Sequence, residues 1–393
     1  MREAVKKITN TFGSREGSIF HIDWILFCGA LLLSLAGLIT MNSFLSPELG
    51  IAGSNYYFQR QIIWLTVSIF ICLTASAIDW RFLKRTQVVV GLFAFSISLL
   101  LLLFAVGKIA KGAQSWFNFG GFSFQPSDPI KLVLIILLSK YFSRRHIEIA
   151  NIKHIIVSGV YALILFVLVL IQPDFGSAII LFGVWFGMVM VSGISKKHLL
   201  AVILVGALSF GALWGFVFQP YQKQRILTFI NPLADIRGAG YNAYQSTIAV
   251  GSGQIMGKGI GYGTQSKLQF LPEYETDFIF AAFAEEWGFI GVMIVFIIYG
   301  LVIWRLLANA MYGVSNFETL FGLGLAILFV VHFTIHVGMN VGLLPVTGTT
   351  VPFMSYGGSH LLTEYLGIGI LMGMRKYSRA SHREDVQNEV YGM

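Results

Sequence analysis

Residues 87–106 read QVVVGLFAFSISLLLLLFAV, twenty consecutive residues without a charge. A helix rises about 1.5 Å per residue, so this run covers about 30 Å, the thickness of a bilayer's hydrocarbon core. It is continuous rather than alternating, which argues against a strand of a membrane barrel. A helix satisfies its own backbone groups in lipid, so the run reads as a spanning helix. Comparable runs lie near 23–45, 61–78, 129–143, 152–172, 176–194, 198–218, 278–304, 317–339 and 355–374. The expected fold class is all-α, a polytopic membrane bundle of about ten transmembrane helices. Composition agrees, with 56% hydrophobic and 12% charged residues and a mean hydropathy of +0.74. Cys28 and Cys72 both sit inside apolar runs, which suggests neither a disulfide framework nor a zinc site. About twenty polar residues precede the first run, which is too long for a signal peptide and lacks a small-residue cleavage site, so it reads as a retained span.

Lysine and arginine in the connections orient the bundle. With the N-terminus inside, 18 of the 27 basic residues fall in inside segments, and only Arg60, Lys108 and Lys111 fall in short outside ones. Both termini are therefore expected in the cytoplasm, and the net charge of +8 reads as a topology signal and lipid attraction, not as a nucleic-acid surface. One outside connection, 219–277, is far longer than the rest. Its aromatic, glycine-punctuated composition is not that of a disordered segment, so it is expected to fold onto the outer face of the bundle. Residues 340–354, with Pro345, Gly348 and Pro352 among apolar residues, suggest a re-entrant segment, and 375–393 read as a short polar cytoplasmic tail. The whole chain, 1–393, is read as one membrane domain with a large extracytoplasmic loop.

The stretch Phe270 to Gly291 concentrates the chemistry. Glu273, Glu275 and Asp277 lie at the outer mouth of the eighth span, with Asp277 where the apolar run begins. Half-desolvation there favours a useful base. Thr276 or Asp277 also fits the N-cap of the following helix, and the two roles are compatible. Glu285 and Glu286 lie inside the span, where ionisable groups are functional suspects; a break near Gly288 would place them in a polar interior cavity, and a structural ion-pair or hydrogen-bonding role is favoured over direct chemistry. In FQPSDPIK, 124–131, Ser127 or Asp128 reads as an N-cap with Pro129 at the first helical position. Asp128 and Lys131, three apart, share a helix face and can pair. KGAQSW, 111–116, supplies Lys111, Gln114 and Trp116, which fit either a diphosphate lipid or interfacial anchoring. GSGQIMGKG, 251–259, lacks the hydroxyl residue and the spacing of a nucleotide loop and reads as a backbone turn near a ligand. His332 and His336 have a metal-ligand spacing but no third partner, so interhelical hydrogen bonds are the reading.

Taken together, several motifs resemble the SEDS family (shape, elongation, division and sporulation), and within it the rod-shape-determining RodA type. They are KGAQSW at 111–116, QPSDPIK at 125–131, QPDFGSA at 172–178, YQKQRI at 221–226 and GAGYNAYQSTIAVGSG at 238–253. GKGIGYGTQSKLQFLPEYETDFIFAAFAEEWGFIG at 257–291 and LLPVTGTTVPFMSYGGS at 343–359 complete the set. The resemblance implies a peptidoglycan glycosyltransferase of cell-wall elongation and cell shape. It would polymerise lipid II at the outer face of the cytoplasmic (inner) membrane, with a class B penicillin-binding protein as partner. The family's essential aspartate falls on Asp277, and its glutamate–lysine pair falls on Asp128 and Lys131. Two departures stand out. Asp128 is a methylene shorter than the usual glutamate, and Glu275 replaces a frequent histidine, adding a charge beside Asp277 that would either raise the pKa of Asp277 or attract a divalent cation. Glu364 in the last span is a further oddity.

The implied mechanism is an inverting displacement with Asp277 as the single base. Lys111, Arg225 and Lys131 are the candidates to stabilise the leaving diphosphate. Gln114, Trp116, Asp128 and Glu273 complete the expected substrate-binding set. The rival readings are a lipid II transporter and a scaffold that only holds the penicillin-binding protein.

Overall fold

The structure is a computed structural model that describes residues 22–43, 54–110, 113–118, 123–144, 152–216, 218, 220–231 and 240–391. Among them are thirteen α-helices: α1 (Trp24–Ser43), α2 (Ser54–Ala77), α3 (Thr86–Val106), α4 (Ser127–Ser143), α5 (Ile152–Ile171), α6 (Phe175–Val191), α7 (Lys196–Phe216), α8 (Pro220–Ile230), α9 (Tyr241–Ser252), α10 (Thr264–Lys267), α11 (Ile279–Met311), α12 (Asn316–Asn340) and α13 (Gly358–Tyr391). Seven of them, α1, α2, α3, α5, α7, α11 and α12, are long and apolar enough to cross a membrane. The apolar α6 is shorter, and α4 and α13 coincide with the two remaining predicted runs. Every expected span is thus a helix, and the protein is a multi-pass membrane bundle. The helix of α13 continues to Tyr391, so the polar tail is helical backbone.

Helices α1, α2, α4, α6, α11, α12 and α13 form the packed centre, with α13 against α2 and α11 between α1 and α12. Leu26, Leu134, Phe321, Phe329 and Tyr365 are fully buried there. Glycine permits a close crossing: a Cβ at Gly369 of α13 would stand 2.6 Å from the Cys72 carbonyl of α2. Without a hydrophobic drive between helices in lipid, such small-residue contacts supply the packing. By contrast, α7 has no buried residue and presents apolar side chains on all sides.

Three features shape one end of the bundle. A short antiparallel sheet, for which the sequence carries no strand signal, joins β1 (Lys108–Ala110), β2 (Ala113–Asn118) and β3 (Ser123–Phe124) between α3 and α4. Segment 219–277 contributes α8, α9 and α10, with α9 packed on α11 and α12. After α12 the chain turns back at Gly342 (φ 76°) and runs along the helix it has just left, because His336 Nδ1 donates to the Thr349 carbonyl at 2.7 Å and His332 Nδ1 to the Thr350 carbonyl at 3.2 Å. This is the re-entrant segment. It also corrects the expected partner of the two histidines: they serve backbone carbonyls that have no strand to pair with inside the bundle.

Helix α11 breaks at Gly288 (φ 64°, ψ −167°). The freed backbone groups meet residues 254–259: Phe289 and Ile290 donate to the carbonyls of Gln254 and Ile255, and Lys258 and Gly259 donate to those of Glu285 and Glu286. A Cβ at Gly257 would lie 2.1 Å from the Glu286 carbonyl oxygen. The glycine turn at 251–259 is therefore packed against the backbone of α11 at Gly253 and Gly257.

Candidate active site

Glu285 and Glu286 are saturated. Glu285 Oε1 accepts Lys258 Nζ at 2.6 Å and Thr264 Oγ1 at 3.1 Å, and the Gln265 N–H reaches both its oxygens at 3.2 Å. Glu286 accepts Ser43 Oγ at 2.8 Å and the Gly261 N–H at 2.7 Å. The structural role expected for both is what the geometry displays.

Asp277 is placed differently. It precedes α11 in a turn, and the N-cap of α11 is Phe278, with no side-chain capping bond. Neither Thr276 nor Asp277 caps the helix, which corrects that expectation. The reason lies in the backbone: three successive carbonyls are pinned by other elements. Tyr356 N donates to Glu275 O at 2.8 Å, Ser355 Oγ to Thr276 O at 2.8 Å, and Asn340 Nδ2 to Asp277 O at 3.0 Å. Glu273 adopts φ 54°, and its carboxylate accepts Thr276 Oγ1 at 3.2 Å. These contacts hold the half-buried Asp277 side chain beside the re-entrant segment, where a Cβ on Gly348 (φ 73°) would lie 3.5 Å from Asp277 Oδ2.

Asp277 opens on a cavity of about 480 Å3, within the roughly 300–1,000 Å3 usual for ligand sites. Trp116, Asp128, Lys131, Arg225 and Glu273 line the same cavity. Of the remaining expected residues, Lys111 lies outside the described residues, and so does the side chain of Gln114 in β2. Glu275 is not among the cavity-lining residues; it acts on Tyr274, whose phenol is pushed up by burial first and then by the Glu275 carboxylate. Among the described residues, no group of three or more histidine, cysteine, aspartate or glutamate side chains is arranged to hold a metal ion.

Asp128 and Lys131 pair at 3.0 Å and are almost completely buried at the cavity floor. The helix that carries them begins at Ser127, with Pro126 as N-cap, so Pro129 sits in the third helical position rather than the first. The first four N–H groups of a helix have no intrahelical partner, so proline is tolerated there as well. Asp128 is therefore inside the helix, and its second oxygen accepts Ser359 Oγ of α13 at 2.8 Å. Asp174 accepts Gln125 Nε2 at 2.8 Å and caps α6 through the Ser177 N–H at 3.1 Å.

Sequence reasoning missed Arg60, Asp174, His332 and His360 as cavity residues. A usable signal existed for Arg60, one of the few cations on the charge-poor side of the bundle; in the structure it stacks 4.0 Å over the Tyr56 ring. The cavity thus combines four carboxylates, Asp128, Asp174, Glu273 and Asp277, with the cations Arg60, Lys131 and Arg225 and the aromatic surface of Trp116. One carboxylate beside cations suits proton removal from a neutral group next to an anionic one.

A membrane bundle with a charged cavity at one end defines the class of protein. Residues 23–380 match the family of cell cycle proteins of the FtsW, RodA and SpoVE type, and the chain belongs to that family. It is 31% identical to stage V sporulation protein E of Bacillus subtilis (strain 168) over 363 residues, 91% of this chain and 98% of the relative. It is 37% identical to the peptidoglycan glycosyltransferase MrdB of Escherichia coli (strain K12) over 292 residues, 73% of this chain and 78% of the relative. Among solved structures, a chain of a peptidoglycan synthase complex that coordinates polymerization and crosslinking superposes with a TM-score of 0.75 at 28% identity, covering 91% of this chain and 98% of that one. The rod shape determining protein RodA of Thermus thermophilus gives a TM-score of 0.67 at 26% identity, covering 91% and 97%.

Proposed function

We propose that this protein is a peptidoglycan glycosyltransferase that polymerises lipid II, an undecaprenyl-diphosphate-linked disaccharide peptide, into glycan strands during cell-wall elongation. The observation that carries this reading is the cavity that gathers Asp277 with Lys131, Arg225 and Trp116 in a membrane bundle. Asp277 takes the proton of the acceptor sugar's 4-hydroxyl. That oxygen forms the new bond to the donor's anomeric carbon as the bond to the diphosphate breaks. The electron pair leaves with the lipid diphosphate, where Lys131 and Arg225 offset the developing charge. Attack opposite the leaving group inverts an α-linked donor to a β-linked product, so one base suffices and no covalent intermediate forms. Trp116 offers a flat apolar face to a sugar ring.

In this reading the cavity end faces outward and both termini lie in the cytoplasm, at the inner membrane, and the excess of basic residues in one set of connections supports that orientation. A class B penicillin-binding protein as partner fits this reading, since crosslinking must follow polymerisation. The purified chain with lipid II, in detergent with its partner, tests the assignment. Glycan strands from the wild type and none from folded Asp277→Asn support it. Head-group translocation without polymer would replace it with a transporter.

A further inference from the structure

His360 of α13 stands between two carboxylates inside the bundle. Its Nδ1 is 3.5 Å from Asp128 Oδ1, and its Nε2 is 2.8 Å from Glu364 Oε1. All three side chains are nearly inaccessible. A neutral imidazole carries a proton on only one ring nitrogen. The Nε2–Oε1 approach is an ionic contact without hydrogen-bond alignment, and Nδ1 faces a second anion. With a carboxylate at each ring nitrogen, only the imidazolium has an N–H to present to both. The surrounding charges agree. Lys131 and Asp128 come from α4, and α2 contributes the uncharged Trp64 against Gly358. From α12 comes His332, whose ring lies 4.8 Å from that of His360. The Nδ1 proton of His332 is committed to the Thr350 carbonyl, and its buried Nε2 has no hydrogen-bond partner. The other oxygen of Glu364 accepts the Phe353 N–H at 2.8 Å, which fixes it to the re-entrant segment at a residue with φ 66°.

This arrangement bears on Lys131. Asp128 Oδ1 is shared between Lys131 Nζ at 3.0 Å and His360 Nδ1 at 3.5 Å, and Lys131, Asp128 and His360 all line the cavity. A carboxylate divided between two cations neutralises neither fully. We propose that His360, held charged by Glu364, is a positioning residue that draws off part of the Asp128 charge and thereby leaves the Lys131 ammonium available to a diphosphate in the cavity. The inference rests on the reading of the cavity as a lipid-diphosphate site. Four ionisable groups inside a membrane bundle are costly to bury, and a closed Asp128–Lys131 pair would be the cheaper structural solution. Glu364, unexplained by sequence, acquires a role: it keeps the second cation in place.

The test measures binding, which does not require turnover. The full-length chain carrying Asp277→Asn is titrated with undecaprenyl diphosphate and, separately, with undecaprenyl monophosphate. The readout is the ratio of the two affinities. His360→Gln, which keeps a polar side chain and removes the cation, is expected to lower the preference for the diphosphate by about tenfold, the size of one charge-assisted contact. Monophosphate affinity and melting temperature should stay near those of the parent. Glu364→Gln should lower the ratio by about threefold, in the same direction, since it weakens the hold on the proton without removing the imidazole. An unchanged ratio in folded His360→Gln overturns the proposal. If that variant does not fold, an unchanged ratio in Glu364→Gln overturns it. Equal loss of both affinities together with a lower melting temperature assigns His360 to structure alone and overturns it too. Glycan synthesis by the Asp277→Asn parent would sink the assignment of the base while leaving this ratio interpretable.

Discussion

The bundle buries an aspartate between cations at each of its ends, and the two sites are built to opposite purposes. At one end Asp23, just before α1, accepts Arg305 Nε at 3.2 Å and a terminal nitrogen of Arg305 at 2.5 Å, Asn309 Nδ2 at 3.0 Å, Arg375 at 3.3 Å and the Leu26 N–H at 3.2 Å. Every lone pair has a donor, and the contacts tie α1, α11 and α13 together. At the other end Asp128 meets Lys131, Ser359 and His360 on the floor of a cavity. A buried ion pair is weak support for stability in itself. What separates the two is whether the residues around the carboxylate line a cavity. The Asp23 site has no demand left to make on a ligand, whereas Lys131 beside Asp128 lines the cavity that Asp277 also lines.

The strongest way to break this contrast is to neutralise the acid that faces the cavity. Asp277→Asn should reduce glycan polymerisation by about 10²–10⁴-fold, the range for a lost general base, at an unchanged melting temperature. A melting temperature that falls with activity would make Asp277 structural, like Asp23. Next in size, Arg305→Met at the saturated end should destabilise the protein by about 3–5 kcal/mol, because it leaves Asp23 buried with too little compensation. Thermal unfolding in detergent measures this, and the folded fraction should keep the wild-type KM for lipid II. A changed KM would show the two ends to be coupled. Lys131→Met should lower kcat/KM by roughly 10–100-fold with a smaller loss of stability than Arg305→Met. The reverse ordering would place Lys131 in the structural class. Smallest, Lys258→Met should cost about 1 kcal/mol and leave polymerisation intact, since Glu285 keeps Thr264 and the Gln265 N–H.

Much of the site is legible in the amino-acid sequence. Asp128 and Lys131 are three residues apart on a helix, and local spacing makes them neighbours whatever the rest of the chain does. Asp277 stands out as an acid at the head of an apolar run. Local rules fail at the helix ends. The helix starts one residue later than expected, with Phe278 at the N-cap, while Tyr356, Ser355 and Asn340 hold the backbone of 275–277 in a turn. Ser359 reaches Asp128 across 231 positions of chain, a separation that carries no periodic signal. The same holds for His360 and Asp174, each ordinary as a residue in its own stretch, while Glu364 stands out in its span but its partners do not.

By itself, the sequence determined the solvent and the count. Lipid demands continuous apolar helices, so each of the ten apolar runs is a helix. Tertiary structure alone decided which buried carboxylates are spent on donors and which face the cavity. Glu285 and Glu286 lie deeper in their run than Asp277, and the return of residues 254–265 onto α11, with Ser43 of α1, satisfies them. Saturation of a carboxylate is a sum over donors from distant elements, and no local pattern can record that sum.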